Sequence, residues 1–289
     1  MSEWVIGIIG GSGLYEIDAL EDAQWVAIDT PWGVPSDELL IGRIAGVRFV
    51  FLPRHGRGHR IPPTDLNARA NIDALKRAGC TDILAISAVG SLREELAPGG
   101  FVAIDQYIDR TFARANSFFG PGLVAHVPMA DPTCPRLSAL AADAAEVAGA
   151  EVTRTGCYVA IEGPQFSTRA ESRAYRAWGG DAIGMTGMPE ARLAREAELP
   201  YASIGMVTDY DCWREDKAGV DLAQIVARLH ANADIARRLI VALAKSLPER
   251  RAPSPIDTIL DHAIITAPEA RDPAMLARLD AICARLLNK

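Results

Sequence analysis

Length, composition and charge narrow the class of this protein before any motif is considered. The chain has 289 residues, of which 49% are hydrophobic and 23% charged, enough for a sizeable hydrophobic core. Its formal net charge of −7 argues against nucleic acid or an anionic membrane as the main partner. No run of about 18 apolar residues occurs, and the first residues lack the basic start of a signal peptide, so we expect a cytoplasmic protein.

Cysteine and histidine are scattered along the chain, with five residues of each type. The cysteines are odd in number and form no C-x-x-C pair, and the histidines show no H-E-x-x-H spacing. We therefore predict neither a disulfide framework nor a metal site.

The first predicted strand leads into a glycine-rich loop, since residues 5–14 read VIGIIGGSGL. Glycines allow positive φ angles and let successive N–H groups point at one anion, and the Ser12 hydroxyl adds a donor. The dinucleotide motif G-x-G-x-x-G fails at Glu16, and the lysine of a P-loop is missing. We predict a phosphate site here, with a plain turn after a buried strand as the alternative.

A predicted hairpin of residues 38–44 and 47–52 delivers a second anion-site candidate, PRHGRGH. Arg54 recognises phosphate through two parallel N–H groups, and His55 donates or accepts according to its protonation. A solvated basic loop is the alternative.

The chain then predicts a helix over residues 65–78, ended by Gly79, and a buried strand over 82–89. This strand, DILAISAV, is apolar almost throughout, as expected where helices cover both faces. It ends in small residues, Ser87 and Ala88, and is the third strand that ends in potential backbone donors.

The middle of the chain alternates strands and loops. We predict a strand over 100–104, a long loop over 110–122 and a helix over 135–148. His126 lies between the loop and the helix, where a buried and hydrogen-bonded histidine is the simplest interpretation.

A strand over residues 153–161 ends in the sequence EGPQF. The Gly-Pro turn would hold Phe166 in one place, as a core residue or as a stacking surface for a flat ligand. A helix over 169–178, a strand over 182–185 and a helix that starts at Pro189 follow.

The last core strand, residues 201–208, leads into Asp209 and Asp211. Residues i and i+2 of an extended chain share one face, so both carboxylates can address one ligand. Their mutual repulsion in a closed site would raise at least one pKa and keep a carboxylic acid protonated. The alternatives are a helix cap at Asp209 and a divalent metal held by both carboxylates.

A long helix over residues 221–246 has its apolar residues at helical spacing, and we expect His230 to be a packed residue at its edge. A proline-rich linker and two short amphipathic helices follow. We predict an α/β fold, a single domain over residues 1–247 with a central mixed sheet flanked by helices, and a linker with a helical extension over residues 248–289.

Taken in order, seven motifs resemble the methylthioadenosine phosphorylase branch of the trimeric purine nucleoside phosphorylase family: GIIGGSGL, LPRHGRGH, SAVGSLREE, IDQYIDRT, AIEGPQFSTRAES, GMTGMPEA and TDYDCW. The resemblance covers about residues 5–245. It implies an enzyme of purine and methionine salvage that cleaves a purine nucleoside with inorganic phosphate, without a cofactor, as a homotrimer. Its partners would be the nucleoside and phosphate, with no nucleic acid and no membrane.

The resemblance also assigns the site residues by motif. The phosphate shell would be Ser12, Arg54, His55, Ser87, Ala88 and Thr186. The nucleoside would contact Phe166, Ser167, Met185, Asp209, Asp211, Leu222 and, from a neighbouring subunit, His126. The catalytic groups would be Asp209, Asp211 and His55.

These assignments explain the expected chemistry. Asp209 would donate a proton or hydrogen bond to purine N7, and Asp211 would accept from a 6-amino group, which selects adenine. Relatives that prefer 6-oxo purines tend to carry Asn near Asp209. The pair Gly187 and Met188 resembles bacterial members, some of which use methylthioinosine, so phosphorolysis of methylthioinosine or of purine nucleosides in general is the alternative.

Three more distant alternatives stay open at the level of the sequence. The Arg54-His55-Gly56 triplet also occurs in histidine phosphatases, where the histidine is itself phosphorylated. A nucleoside hydrolase would use water in place of phosphate, and a binding protein would retain the nucleoside without turnover.

Overall fold

The computed structural model describes residues 3–11, 13–214 and 222–287, and within them eleven strands form one mixed sheet. The strands are β1 (Val5–Gly10), β2 (Glu21–Val26), β3 (Leu39–Ile44), β4 (Val47–Pro53), β5 (Asp82–Ser91), β6 (Phe101–Ile104), β7 (Gln106–Arg110), β8 (Val152–Thr153), β9 (Cys157–Ile161), β10 (Ala182–Gly184) and β11 (Tyr201–Asp209). The helices are α1 (Ala68–Arg77), α2 (Pro135–Val147), α3 (Arg169–Ala177), α4 (Gly187–Glu196), α5 (Leu222–Ser246), α6 (Pro273–Arg278) and α7 (Ala284–Leu287), with 3-10 turns at Pro63–Asp65, Pro255–His262 and Pro268–Ala270. The predicted α/β fold with a mixed sheet flanked by helices is confirmed. In the part of the chain described, no helix is both long and apolar enough to span a bilayer.

Strand β5 lies at the centre of the sheet. It pairs in parallel with β1 on one side and with β11 on the other, and β1 continues in parallel to β4. The carboxyl ends of these four strands therefore meet at one edge, where open α/β sheets bind ligands. Near its own carboxyl end, β5 instead pairs antiparallel with β10 through Gly90 and Ser91. The sheet divides at this point.

The two faces of the sheet carry separate hydrophobic cores. In β1, Ile6 and Ile8 pack with residues of α2 and α5, whereas Ile9 packs on the opposite face with residues of α1 and α4. This alternation follows from the two-residue period of a strand whose faces are both covered. The result is a three-layer arrangement in which the central strands cannot shift without exposing core residues.

The carboxyl-terminal segment packs on the α1 and α4 face. Leu260, Leu279 and Ile282 are at most 1% exposed and belong to the same core as Ile9. At the segment's end, Arg285 forms a 2.6 Å ion pair with the buried Glu198. These contacts make the segment an integral layer of the fold, and the division into a domain and an extension stays a prediction.

Some predicted boundaries were wrong for identifiable reasons. Strand β2 was missed because it lies at the sheet edge and is exposed almost throughout, without apolar alternation. Strand β7 was missed because its sequence QYIDR mixes polar and apolar residues. The predicted strand 153–161 is two strands, β8 and β9, separated by Arg154–Gly156. Helix α1 begins at Ala68 because Asn67 caps it by accepting from the Ala70 N–H.

Candidate active site

The ends of the central strands line one cavity of about 360 Å³. The predicted site residues that it brings together are Arg54, His55, Ser87, Ala88, Phe166, Ser167, Met185, Thr186, Asp209 and Asp211. Ser12 lies outside the described residues, although Gly11 and Leu14 on either side of it line the cavity. Leu222 begins α5, and its side chain is outside the described part of the structure.

The glycine-rich loop turns sharply after β1. Gly13 has φ +92°, a region that residues with a Cβ atom rarely adopt, so glycine suits this turn. Its carbonyl oxygen accepts a 2.7 Å hydrogen bond from Nη1 of Arg237, on α5. The loop is therefore held against α5, and Gly11 faces the cavity beside it.

Arg54 is buried beneath the cavity, with a side chain 2% exposed. Its Nε and Nη2 groups donate to the two carboxylate oxygens of Glu190, at 2.6 and 3.1 Å. Nη1 donates to Ile86 O at 3.0 Å, and Nη2 also lies 3.4 Å from Ile9 O. Glu190 thus occupies the bidentate face of the guanidinium. Arg54 retains one Nη1 hydrogen for a ligand, in place of the two parallel N–H groups that the sequence predicts.

His55 lies beside Arg54 with its ring partly buried. Nδ1 is 2.9 Å from the carbonyl oxygen of Ile61, which only accepts, so Nδ1 carries the hydrogen. Burial and the positive charge of Arg54 lower the pKa of His55 to about 4. His55 is therefore neutral at physiological pH, and its Nε2 atom is an acceptor. The ring stacks on His59, with centroids 4.4 Å apart, and His59 also lines the cavity.

Two hydroxyl groups converge between β5 and α4. The Oγ atom of Ser87 is 3.1 Å from Oγ1 of Thr186, and both residues are buried. The backbone N–H of Thr186 donates to the Tyr158 hydroxyl at 3.2 Å, which fixes the start of α4. Hydroxyls so placed suit the oxygens of a phosphate group, since each donates and accepts.

Part of the cavity wall is apolar. Met185, Ile161 and Phe166 line it, and Phe166 is 53% exposed at the cavity mouth. Ser167 contributes a buried Oγ atom that has no hydrogen-bond partner among the described residues. A buried hydroxyl without a partner costs free energy, so it favours a ligand that supplies one.

Asp209 and Asp211 face the cavity from the end of β11. The backbone N–H of Asp211 donates to Oδ1 of Asp209 at 2.7 Å. The Thr208 hydroxyl lies 2.7 Å from Oδ2 of Asp209 and 3.2 Å from Val89 O. The hydroxyl can donate to either oxygen, so the hydrogen of a protonated Asp209 is left for a ligand. The local structure therefore accommodates both protonation states of Asp209.

Burial is the main reason that the pKa values of both carboxyl groups lie above the usual value for aspartate. It raises the pKa of Asp209 despite the hydrogen bonds from Thr208 and Asp211. It also raises the pKa of Asp211, to which the negative charge of Asp209 makes a smaller contribution. The mutual repulsion predicted from the sequence therefore does raise the pKa of Asp211, but it is a smaller cause than burial. Among the described residues no group of three or more side chains could bind a metal ion.

His126 lies outside the cavity of its own chain. It follows β7 in an exposed loop, and its backbone N–H donates to Ala263 O at 2.9 Å. Ala125 also forms a bridge with Ile264. The carboxyl-terminal segment therefore holds the loop that carries His126.

His230 is a cavity residue that the sequence did not reveal. We expected a packed residue at the edge of α5, but His230 is exposed and lines the cavity with Ala233. Its spacing from Val226 predicted a position on the apolar face of α5. The contact between α5 and the glycine-rich loop after β1 instead places His230 at the cavity. Only the packing of α5 against the glycine loop could show this.

Comparison with known proteins agrees with this geometry. The family model described as the phosphorylase superfamily matches residues 5–245. The chain belongs to the phosphorylase superfamily. Every described residue that lines the cavity lies within this matched range.

Two curated relatives of this phosphorylase are both named S-methyl-5′-thioadenosine phosphorylase. The protein from Cereibacter sphaeroides is 59% identical over 98% of this chain and 99% of its own length. That from Bradyrhizobium diazoefficiens is 55% identical over the whole of both chains.

Solved structures show the same similarity. A methylthioadenosine phosphorylase from an antarctic soil metagenomic library is 44% identical, with a TM-score of 0.91 over 98% of this chain and 99% of its own. The methylthioadenosine phosphorylase of Schistosoma mansoni, solved in complex with adenine, is 39% identical with a TM-score of 0.78, covering 84% of this chain and 91% of its own.

Proposed function

We propose that this phosphorylase cleaves S-methyl-5′-thioadenosine with inorganic phosphate to give adenine and 5-methylthioribose 1-phosphate. The observation that carries the proposal is that the cavity at the strand ends combines donors for phosphate, an apolar wall and two carboxyl groups with raised pKa values. The names of the relatives support it, because each relative acts on this nucleoside by name.

The phosphate end would be built mainly from neutral donors. Ser87, Thr186, the backbone N–H of Ala88 and the Ser12 loop would bind the oxygens, and Arg54 would add one N–H and a charge partly offset by Glu190. The Nε2 atom of His55 would accept the phosphate O–H. This arrangement would orient one phosphate oxygen toward the sugar.

The reaction would exchange one bond to C1′ for another. A phosphate oxygen attacks C1′, the C1′–N9 bond breaks, and its electron pair moves into the purine. The carboxyl group of Asp209 gives a proton or hydrogen bond to N7, so the purine leaves without a full negative charge. Phosphate is the second substrate, and the reaction as written needs no cofactor.

The purine and the 5′ group would be recognised at opposite ends of the nucleoside. Asp211 would accept from the 6-amino group while Phe166, Ser167 and Met185 contact the base and ribose. Leu222 and a His126 from a neighbouring subunit would contact the methylthio group. The exposure of His126 outside its own cavity supports this homotrimer.

We also propose that the enzyme works in the cytoplasm and that residues 1–247 carry the catalytic groups. All five cysteines are free thiols, as is usual for proteins of a reducing compartment. The segment 248–289 would serve to support the His126 loop, since it supplies the backbone partners described above.

The deciding experiment measures base release from 5′-methylthioadenosine and 5′-methylthioinosine, each with and without inorganic phosphate. We expect adenine and a pentose 1-phosphate only when phosphate is present. Faster release of hypoxanthine would retain the reaction class and reverse the role given to Asp211. Base release without phosphate would indicate a hydrolase, and phosphate trapped covalently on His55 would indicate a phosphatase.

A further inference from the structure

Arg114 is a buried cation outside the predicted site, in the loop after β7. Its side chain is 4% exposed although its neighbours Phe112 and Ala113 are exposed. The loop thus bends to place one guanidinium inside the protein. Such burial is costly unless every N–H group finds a partner.

Each of the five N–H groups of Arg114 has an acceptor. Nε donates to Oε1 of Glu162 at 2.9 Å. Nη1 donates to the carbonyl oxygens of Met185 at 2.6 Å and Met188 at 2.8 Å. Nη2 donates to the carbonyl oxygens of Glu162 at 2.5 Å and Ile161 at 3.3 Å. One planar group therefore joins the end of β9 to Met185, which follows β10, and to Met188 at the start of α4.

Glu162 fixes the guanidinium from the other side. Its Oε2 accepts from the backbone N–H groups of Phe112 at 2.7 Å and Ala113 at 3.1 Å. Burial alone would raise the pKa of Glu162, but these hydrogen bonds and Arg114 outweigh it and lower the pKa. The carboxylate is therefore ionised at neutral pH and holds the loop around Arg114.

The two segments that Arg114 joins form the apolar wall of the cavity. Met185 and Ile161 both line it. A Cβ atom at Gly163 would lie 2.6 Å from the Met185 sulfur, so the segments pack as closely as glycine allows. Thr186 has its own contacts with Ser87 and Tyr158. Loss of Arg114 would therefore disturb the apolar wall more than the phosphate end.

We propose that Arg114 is a positioning residue for the nucleoside, because it sets the separation of the β9 and β10 ends that form the wall facing base and ribose. The proposal rests on the function proposed above. Lysine cannot replace it, since an ammonium group has three donors and lacks the planar fork that reaches carbonyl oxygens on both segments.

The test compares Arg114→Lys with Arg251→Lys, a matched control. Arg251 is also buried, with a side chain 5% exposed, and donates to Asp257 at 2.7 and 2.8 Å and to Thr81 O at 3.2 Å. It also pairs with Asp82 at the amino end of β5, away from the cavity. Both variants replace a buried guanidinium group, but only that of Arg114 contacts the segments that form the cavity wall.

The measurements are the KM for 5′-methylthioadenosine, the KM for phosphate, the Kd for 5′-methylthioadenosine without phosphate, and Tm. For Arg114→Lys we expect the nucleoside KM and Kd to rise by about tenfold to a hundredfold. The phosphate KM should stay within about threefold of wild type, because Thr186 keeps its own partners. Arg251→Lys should lower Tm without changing either KM.

Two results would overturn the positioning role. One is an equal change in the nucleoside KM and the phosphate KM of Arg114→Lys. The other is a rise in the nucleoside KM of Arg251→Lys when the two variants have the same loss of Tm. If Arg114→Lys does not fold, the double variant Arg114→Gln with Glu162→Gln removes both charges together and leaves no unpaired ion. The same selective rise in nucleoside KM is expected for it, and a wild-type nucleoside KM would refute the inference. A wild-type protein that neither binds nor cleaves the nucleoside would instead refute the proposed function, and the inference with it.

Discussion

Replacement of Asp209 by Asn tests the proposed acid most directly. Asparagine keeps the shape of the side chain, and its Oδ1 can accept from the Asp211 N–H, as Asp209 does at 2.7 Å. The amide nitrogen then faces the Thr208 hydroxyl, which can turn to donate to Val89 O, 3.2 Å away. The substitution therefore removes the transferable proton with little change in local structure.

The expected size of the effect follows from what asparagine retains. General acid catalysis contributes about two to four orders of magnitude in rate. An amide still donates a hydrogen bond but cannot transfer its proton, so we expect the lower end, about a hundredfold loss of kcat, or about 2.7 kcal/mol at 1.36 kcal/mol per factor of ten. The same change should raise the relative rate with 6-oxo purine nucleosides, since the amide donates to an oxygen-bearing base.

The assay is adenine release at saturating nucleoside and phosphate across a series of pH values. Burial raises the pKa of Asp209, and the acid works only when protonated, so wild-type kcat should fall as pH rises through that raised pKa. The Asp209→Asn variant should lack this limb. A wild-type kcat in the variant, or an unchanged pH limb, would remove Asp209 from the role of acid.

Stability provides an independent readout of the same group. The raised pKa means that the folded state holds the Asp209 proton more tightly than the unfolded state. Stability from this group is therefore present at low pH and is lost as pH rises above the unfolded pKa and through the folded one. At neutral pH, Asp209→Asn should have a higher Tm than wild type, whereas a lower Tm would contradict the burial of an ionised carboxylate.

Three further predictions concern the surroundings of the cavity. Glu190→Gln leaves Arg54 buried without its counter-ion, so in urea titrations in phosphate-free buffer it should lower the free energy of unfolding by about 3–5 kcal/mol. The control Tyr201→Phe removes one hydrogen bond to Glu190 and should lower it by only about 1 kcal/mol. Equal losses in the two variants would contradict the ion-pair argument. In NMR spectra, His55 should titrate near pH 4. Because this pKa lies below the unfolded value of about 6.5, the free energy of unfolding should fall as pH drops from 6.5 toward 4. A titration midpoint near 6.5 would disprove the burial of His55. Leu279→Ala should destabilise the protein by about 2–5 kcal/mol in the same titration, and a loss below about 1 kcal/mol would show that the carboxyl-terminal segment is not part of the core.

The sequence predicts the central strands well because their physical signals are local. Strand β5 is apolar along both faces, as a covered parallel strand must be, and β11 likewise. Strand β2 gives no such signal because it is exposed and is held only by pairing with β3. Pairing partners are distant in sequence, so an exposed edge strand cannot be recognised from its own residues.

The same reasoning separates the site residues that could be predicted from those that could not. Asp209 ends β11 and Ser87 lies near the carboxyl end of β5. Both strands are visible in the sequence, so the meeting of these residues at one sheet edge follows from the parallel order. Glu190 and Arg114 lie within a helix and a loop, and nothing nearby in sequence marks them as partners of Arg54 and Glu162. Their roles depend on which charges the fold buries together.

The burial of these ion pairs explains how the cavity handles charge. Arg54 meets Glu190 and Arg114 meets Glu162, so neither arginine presents an uncompensated charge to the cavity. The remaining titratable groups that face the ligand, His55, Asp209 and Asp211, have pKa values shifted toward their neutral forms. Ion pairing and the direction of these shifts both reduce the charge that the cavity carries before phosphate enters. In the proposed reaction, the bound phosphate would stabilise charge that develops on the sugar, which would tie cleavage of the nucleoside to the presence of the second substrate.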